Sequence, residues 1–172
     1  LSGQLPLIED KLYIGAAIAK LDRDGYGDVT TNYDIATGVF SGSEENYNKD
    51  VSVARISVEY KPTENLFIRL AADKTDDESN QICGTQSSQT TLTHPATGAL
   101  FLASGDPYDS ACGSTHKSNV ENDGYSLTVE YELNDQWSTK YVYADRKGET
   151  QQFIDFEATP LDAFDVPASY TD

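Results

Sequence analysis

Tyr125-Ser126-Leu127-Thr128-Val129-Glu130-Tyr131-Glu132-Leu133-Asn134-Asp135-Gln136-Trp137-Ser138-Thr139-Lys140-Tyr141-Val142-Tyr143 carries the pattern on which the fold turns. Tyr125, Leu127, Val129, Tyr131 and Leu133 alternate with Ser126, Thr128, Glu130 and Glu132. A period of two makes one face of a strand apolar and the other polar. Asn134-Asp135 supplies the residue types of a tight turn. Trp137, Thr139, Tyr141 and Tyr143 then alternate with Gln136, Ser138, Lys140, Val142 and Ala144, so a second strand returns beside the first.

The same period recurs upstream. Leu12, Ile14, Ala16 and Ile18 share one face. Ala54, Ile56, Val58 and Tyr60 oppose Arg55, Ser57 and Glu59. Leu66, Ile68, Leu70 and Ala72 oppose Asn65, Arg69 and Asp73, with Phe67 and Ala71 blurring the polar side. The expected strands lie near 11–21, 51–61, 65–74, 124–133 and 136–146, and residues 1–5 read as the tail of one more. Each spans about nine to eleven residues, the length a tilted strand needs to cross the hydrocarbon layer. Soluble strands average about five or six.

The connections fall into two unequal kinds. Lys61-Pro62-Thr63-Glu64 and Asn134-Asp135 are tight turns, whereas 22–50, 74–123 and 146–172 are long loops. Up-and-down strands put alternate connections on opposite rims. The expected fold is therefore all-β: antiparallel up-and-down transmembrane β-barrel strands forming a partial barrel, with short periplasmic turns and long extracellular loops. Tyr60, Tyr131 and Trp137, on the apolar face near the short-turn rim, suit an aromatic girdle. A secreted soluble β-rich binding module, such as a sandwich or lectin-like domain, also has alternating strands, but compact domains rarely carry structureless loops beyond about 15 residues. A small autonomous barrel or porin is opposed by the odd strand count and the missing closing strand. Within the loops, Ile35-Ala36-Thr37-Gly38-Val39-Phe40 and Pro95-Ala96-Thr97-Gly98-Ala99-Leu100-Phe101 each read as a small hairpin with glycine at the turn.

Composition narrows the class further. Among 172 residues, 29 are acidic and 12 basic, a net charge of -17 with no Lys/Arg stripe, which disfavours nucleic acid as a partner. Mean hydropathy is -0.53, and no apolar run approaches the ~20 residues of a membrane helix. Barrel strands escape that test because only alternate residues face lipid. Leu1-Ser2-Gly3-Gln4-Leu5 has neither the charged nor the apolar region of a signal peptide, and the chain is expected to be a piece of something longer. Cys83 and Cys112 sit among Gly, Ser, Thr, Asn and Gln, where a pair reads as one disulfide in an oxidising compartment. Two free thiols compete with that reading, as does a zinc site with His94 and His116, whose spacing lacks the close first pair of structural zinc sites.

Several segments, taken in order, resemble TonB-dependent outer-membrane receptors. Pro6-Leu7-Ile8-Glu9-Asp10-Lys11-Leu12-Tyr13 looks like the periplasmic turn and strand start early in that barrel, and Asp22-Arg23-Asp24-Gly25-Tyr26-Gly27 is similar to the exit of that strand into its extracellular loop. Ser57-Val58-Glu59-Tyr60-Lys61-Pro62-Thr63-Glu64-Asn65-Leu66 resembles the next strand-turn-strand unit. Phe156-Glu157-Ala158-Thr159-Pro160-Leu161-Asp162-Ala163-Phe164-Asp165-Val166 resembles a recurring loop segment. The match covers most of the chain apart from the cysteine-bearing insert. The resemblance implies a barrel of about 22 strands around an N-terminal plug, which imports a scarce siderophore, cobalamin or glycan ligand with energy from the TonB system. This chain shows no plug and no TonB box, so the implied partners are outer-membrane lipid, the plug, the remaining barrel strands, the TonB system through that plug, and an extracellular small-molecule ligand. The implied location is the outer membrane of a Gram-negative bacterium.

No catalytic constellation, cofactor site or metal site is expected. Asp22, Asp24 and Asp28 with Gly25 and Gly27 are similar to a calcium loop, yet Tyr33 stands where the bidentate glutamate belongs. Asp73, Asp76, Asp77 and Glu78 read as a solvated acidic stretch. Arg55, Glu59, Arg69, Glu130, Glu132 and Lys140 are expected to face a wet lumen, because charge facing lipid costs about 2 to 4 kcal/mol near the midplane. Ligand contact is expected from the loop aromatics Tyr26, Tyr33, Tyr47, Phe101, Tyr108, Phe153 and Phe156, flat amphipathic surfaces set among carboxylates.

Overall fold

The computed structural model describes residues 1–34, 39–84, 92–93, 100–101, 106–112, 118–156 and 165–172, with backbone alone at 31–34, 39–41, 92–93, 100–101 and 165. These residues form an all-β structure. The strands are β1 (Ser2–Ile8), β2 (Leu12–Arg23), β3 (Gly27–Asp34), β4 (Val39–Asn46), β5 (Lys49–Thr63), β6 (Leu66–Asp77), β7 (Leu92–Thr93), β8 (Leu100–Phe101), β9 (Ser110–Ala111), β10 (Ser118–Asn134), β11 (Trp137–Asp155) and β12 (Asp165–Thr171). Seven of them make an open antiparallel sheet in the order β1-β2-β5-β6-β10-β11-β12. A smaller sheet, β4-β3-β9, pairs β3 with β4 antiparallel and with β9 in parallel.

Register explains the two faces of the large sheet. Residues directly opposite each other in an antiparallel ladder project to the same side. One row reads Leu5, Ile14, Val58, Leu70, Leu127, Tyr143 across six strands. The row nearer the tight turns reads Leu12, Tyr60, Ile68, Val129, Tyr141. On the other side, Glu59, Arg69, Thr128 and Val142 lie in line, as do Arg55, Asp73, Gly124 and Arg146. Among the described residues of this sheet only Ala71 is buried, so no second layer of a sandwich covers either face there. Ile56, Leu70, Tyr125 and Tyr141 are each more than half exposed.

The tight turns gather at one rim. Between β10 and β11, the Asn134 carboxamide oxygen accepts from the Gln136 and Trp137 backbone N–H groups at 2.9 and 3.1 Å, an Asx turn that closes the hairpin. Between β1 and β2, Asp10 takes φ 58°, a left-handed conformation that aspartate tolerates. Residues 64–65 close the β5–β6 hairpin. The connections at the opposite rim are long: β3 and β4 interrupt the path from β2 to β5, and β7 to β9 lie between β6 and β10.

Several boundaries differ from those expected. Lys61, Pro62 and Thr63 belong to β5, past a register shift between Tyr60 and Thr63; proline, with no N–H to give the ladder, sits inside that bulge. Pro6, Leu7 and Ile8 belong to β1, and the turn follows them. The stretch 146–172, expected as loop, contains the end of β11 and all of β12, paired from Glu149↔Thr171 to Asp155↔Asp165. Backbone hydrogen bonding continues there without apolar alternation, which is why a hydrophobic period misses it. The two segments expected as small hairpins span the connections of paired strands, Asp34↔Val39 and Thr93↔Leu100; residues 35–38 and 95–99 of them lie outside the described residues.

Hydrogen exchange on the folded chain checks the ladder. Amides of β5, β6 and β10, paired on both sides, are expected to exchange slowest, and those of β1 and β12 fastest. Uniformly fast exchange through β6 and β10 would contradict the pairing.

Candidate functional site at the long-loop rim

Where β4 ends, one side chain organises the rim. Asn46 is fully buried. Its amide nitrogen donates to the Cys83 carbonyl at 3.3 Å and to Ser110 Oγ at 3.2 Å, while its amide oxygen accepts from the backbone N–H of Cys83 and of Tyr47 at 3.3 and 3.2 Å. Ser110 Oγ in turn donates to the Cys83 carbonyl at 2.9 Å. Cys83 and Cys112 form a disulfide, so the reading of two free thiols or of a zinc site using both sulfurs gives way to a bridge. Val29, Cys83 and Cys112 make a small buried cluster beneath it. Three distant parts of the sequence, the β3–β4 hairpin, the start of the 78–117 segment and β9, thus meet around one amide.

This junction presents an aromatic surface. Tyr26 and Tyr47 stack at 4.6 Å between centroids with planes 9° apart, and Tyr108 meets both edge-on at 5.5 and 6.4 Å. The Arg23 guanidinium stands 5.6 Å above the Tyr26 ring and donates to the Tyr47 carbonyl at 2.6 Å. Tyr47 itself has φ 66°, a left-handed conformation unusual for a bulky residue; such strain costs on the order of 1–3 kcal/mol and persists where surrounding contacts over-determine it. Tyr26 and Tyr108 remain 58% and 53% exposed, leaving ring surface for a ligand.

Gly25 and Gly27 make that approach possible. A Cβ on Gly25 would lie 2.4 Å from the Asn46 carbonyl oxygen, and one on Gly27 would lie 2.2 Å from that of Tyr108. The Gly-Tyr-Gly segment is pressed between two backbones, with the Gly25 N–H donating to Glu45 Oε2 at 2.9 Å. Among the described residues no three His, Cys, Asp or Glu side chains converge to hold a metal. Asp28 instead receives Ser43 Oγ at 3.4 Å, and its N–H donates to Asp109 at 3.1 Å.

Of the seven loop aromatics expected to meet a ligand, Tyr26, Tyr47 and Tyr108 come together. Phe153 lies on β11, 39% exposed, and Phe156 follows that strand at 71% exposed. Tyr33 and Phe101 have strand backbones in β3 and β8, and their side chains lie outside the described residues, as do His94 and His116. Sequence reading misses Asn46 because a polar residue in a polar stretch gives no periodic signal. The glycines around Tyr26 are the visible clue.

The six charged residues assigned to one face do share it by register. Glu59 pairs with Arg69 at 3.5 Å and Glu130 with Lys140 at 2.7 Å. Arg55 lies opposite Asp73, and Glu132 opposite Ser138. Sequence reading overlooks a third pair, Arg146 to Asp73 at 2.7 Å, which spans the intervening Gly124; a Cβ there would stand 2.9 Å from Arg146 Cγ.

Replacing Asn46 with Ala strands the Cys83 backbone groups, and a loss of about 1–3 kcal/mol is expected for the rim. Gly27→Ala should separate the tyrosines by forcing Tyr108 away. Both changes are expected to reduce the near-ultraviolet tyrosine signal while leaving the far-ultraviolet strand signal intact. An unchanged near-ultraviolet spectrum in both variants would contradict this packing.

Comparison with protein-family models, curated proteins and solved structures finds no match.

Proposed function

We propose that this chain is part of the β-barrel of a TonB-dependent outer-membrane receptor, a transporter component without enzymatic activity. The observation that carries the reading is the pairing of two asymmetries in one antiparallel meander. Tight turns occupy one rim and long connections, two of which carry β3, β4 and β9, the other; one face is an apolar band and the opposite face a ladder of ion pairs.

The band supports a lipid-facing role by its dimensions. From Leu133 back to Tyr125 is eight residues, about 26 Å along the strand, or roughly 20 Å of depth at the ~40° tilt of such barrels. Asp145, beside Tyr125, is the first charge met in these rows. In the next row Asp123 stands between Lys74 and Lys147, so the charged residues begin there and bound the band on that side. A face this apolar and exposed needs a cover, and lipid is a cover that leaves the ion-paired face free to line a wet interior.

Among the described residues β1 and β12 each pair on one side only, and further strands of the same barrel, around a plug, would continue the ladder from their other sides. The tyrosine surface at the opposite rim from the turns then faces the outside, where it contacts an imported ligand of the siderophore, cobalamin or glycan class. Such a chain resides in the outer membrane of a Gram-negative bacterium and draws on the TonB system through the plug.

Trp137, the single tryptophan, reports on this directly. It lies on the apolar face at the short-turn rim and is 69% exposed. In vesicles of brominated lipid its fluorescence is expected to be quenched most by bromines nearest the headgroups. Leu70→Arg, in the middle of the band, should weaken insertion by about 2–4 kcal/mol, whereas Ser57→Arg, on the other face, should change it little. A chain that stays folded and monomeric without detergent, with Trp137 unquenched, would favour a secreted soluble module and overturn the proposal.

A further inference from the structure

Beyond the charged edge of the band, the ends of β6, β10, β11 and β12 enclose a cavity of about 830 Å³, within the size range of small-molecule sites. Its wall differs from the rest of the rim. In a chain of net charge -17, only Glu78 among the described lining residues is charged; Asn119, Gln151 and Ser169 supply carboxamides and a hydroxyl, and Phe153 and Pro167 supply an apolar strip. Register puts these groups side by side: Asn119 is opposite Gln151, Gln151 opposite Ser169, and Phe153 opposite Pro167, two residues further along the same strands. All therefore project to one face.

We infer that this cavity is a binding site for a neutral saccharide, separate from the tyrosine surface. A carboxamide offers both donors and an acceptor and so matches hydroxyl groups, which also do both. The Phe153 ring, 39% exposed, is a platform for the apolar C–H face of a sugar ring. None of the described lining residues is a cation, and a phosphate, carboxylate or sulfate placed among them meets the Glu78 carboxylate. Gln151 also donates to Glu149 at 3.1 Å and Asn119 to Glu121 at 3.5 Å, which holds both carboxamides in place and leaves each an N–H and its oxygen for a ligand.

The cavity lies on the same face as the apolar band, six residues along β11 from Asp145 to Gln151, or about 20 Å. That position admits two sources for one chemistry, a free oligosaccharide or the saccharide head of a glycolipid standing in the outer leaflet. The glycolipid source rests on the receptor reading above; the free saccharide does not.

The test titrates the detergent-folded chain with neutral hexasaccharides from dextran, maltodextrin and xylan, and separately with nanodiscs with and without a neutral glycolipid. Saturable binding of at least one hexasaccharide is expected, weakened tenfold or more in Phe153→Ala and in Asn119→Ala/Gln151→Ala, and unchanged in Gln136→Ala, in the β10–β11 turn at the opposite rim. A uronic-acid hexasaccharide should bind at least tenfold more weakly. Preference for glycolipid nanodiscs over the free sugars would assign the membrane source. Failure of every neutral saccharide to bind, free or lipid-borne, to chain that is folded by circular dichroism would overturn the inference, as would binding indifferent to Phe153. Because Trp137 quenching is read without any sugar, failure of the receptor reading is seen independently.

Discussion

Strict alternation of side chains on a hydrogen-bonded ladder is the constraint from which the large sheet follows. Once Leu70 is opposite Leu127 and Val58, every second residue on those strands is committed to the same side. A slip of one residue would interchange the faces entirely. It would bring Arg69 and Glu130 among apolar positions such as Ile14 and Val58, and carry the leucines onto the ion-paired side. Wherever one of the two faces is covered, that two-sided chemistry adds to the backbone hydrogen bonds in fixing the register.

The rim obeys a different rule. Alternation decides little there, and specific polar contacts decide much. Asn46, with its carboxamide satisfied on both atoms, does for three converging segments what apolar packing does in an ordinary core. Buried amides are stabilising only when satisfied, so the geometry of Cys83, Tyr47 and Ser110 is specified together. The disulfide holds Cys83 beside Cys112, and the Gly-Tyr-Gly segment fits because two side chains are missing where two carbonyls approach. Tyrosines far apart in the chain become neighbours by this route.

Legibility in the sequence divides along the same line. The all-β class, five of the strands and the disulfide can be read from period two, turn residues and cysteine context, because each depends on local chemistry. β12 and the far end of β11 cannot, since Gln151, Gln152 and Ser169 pair through backbone alone. Tyr26, Tyr47 and Tyr108 are recognisable as exposed loop aromatics, but their meeting depends on contacts between parts of the chain as distant as Tyr26 and Tyr108. Glycine at 124 carries no meaning until Arg146 is seen lying over it.

That last arrangement has mechanical consequences. Most contacts in a meander join immediate neighbours, so such a sheet can unzip from an edge, one strand at a time. Arg146 reaches past β10 to Asp73 on β6 and fastens next-nearest neighbours. Peeling β11 away therefore disturbs two strands at once, at a height just beyond the apolar rows. Because the pair is accessible to solvent, this fastening is modest and weakens as ionic strength rises, so concentrated salt loosens the link between β11 and β6 without undoing the ladder.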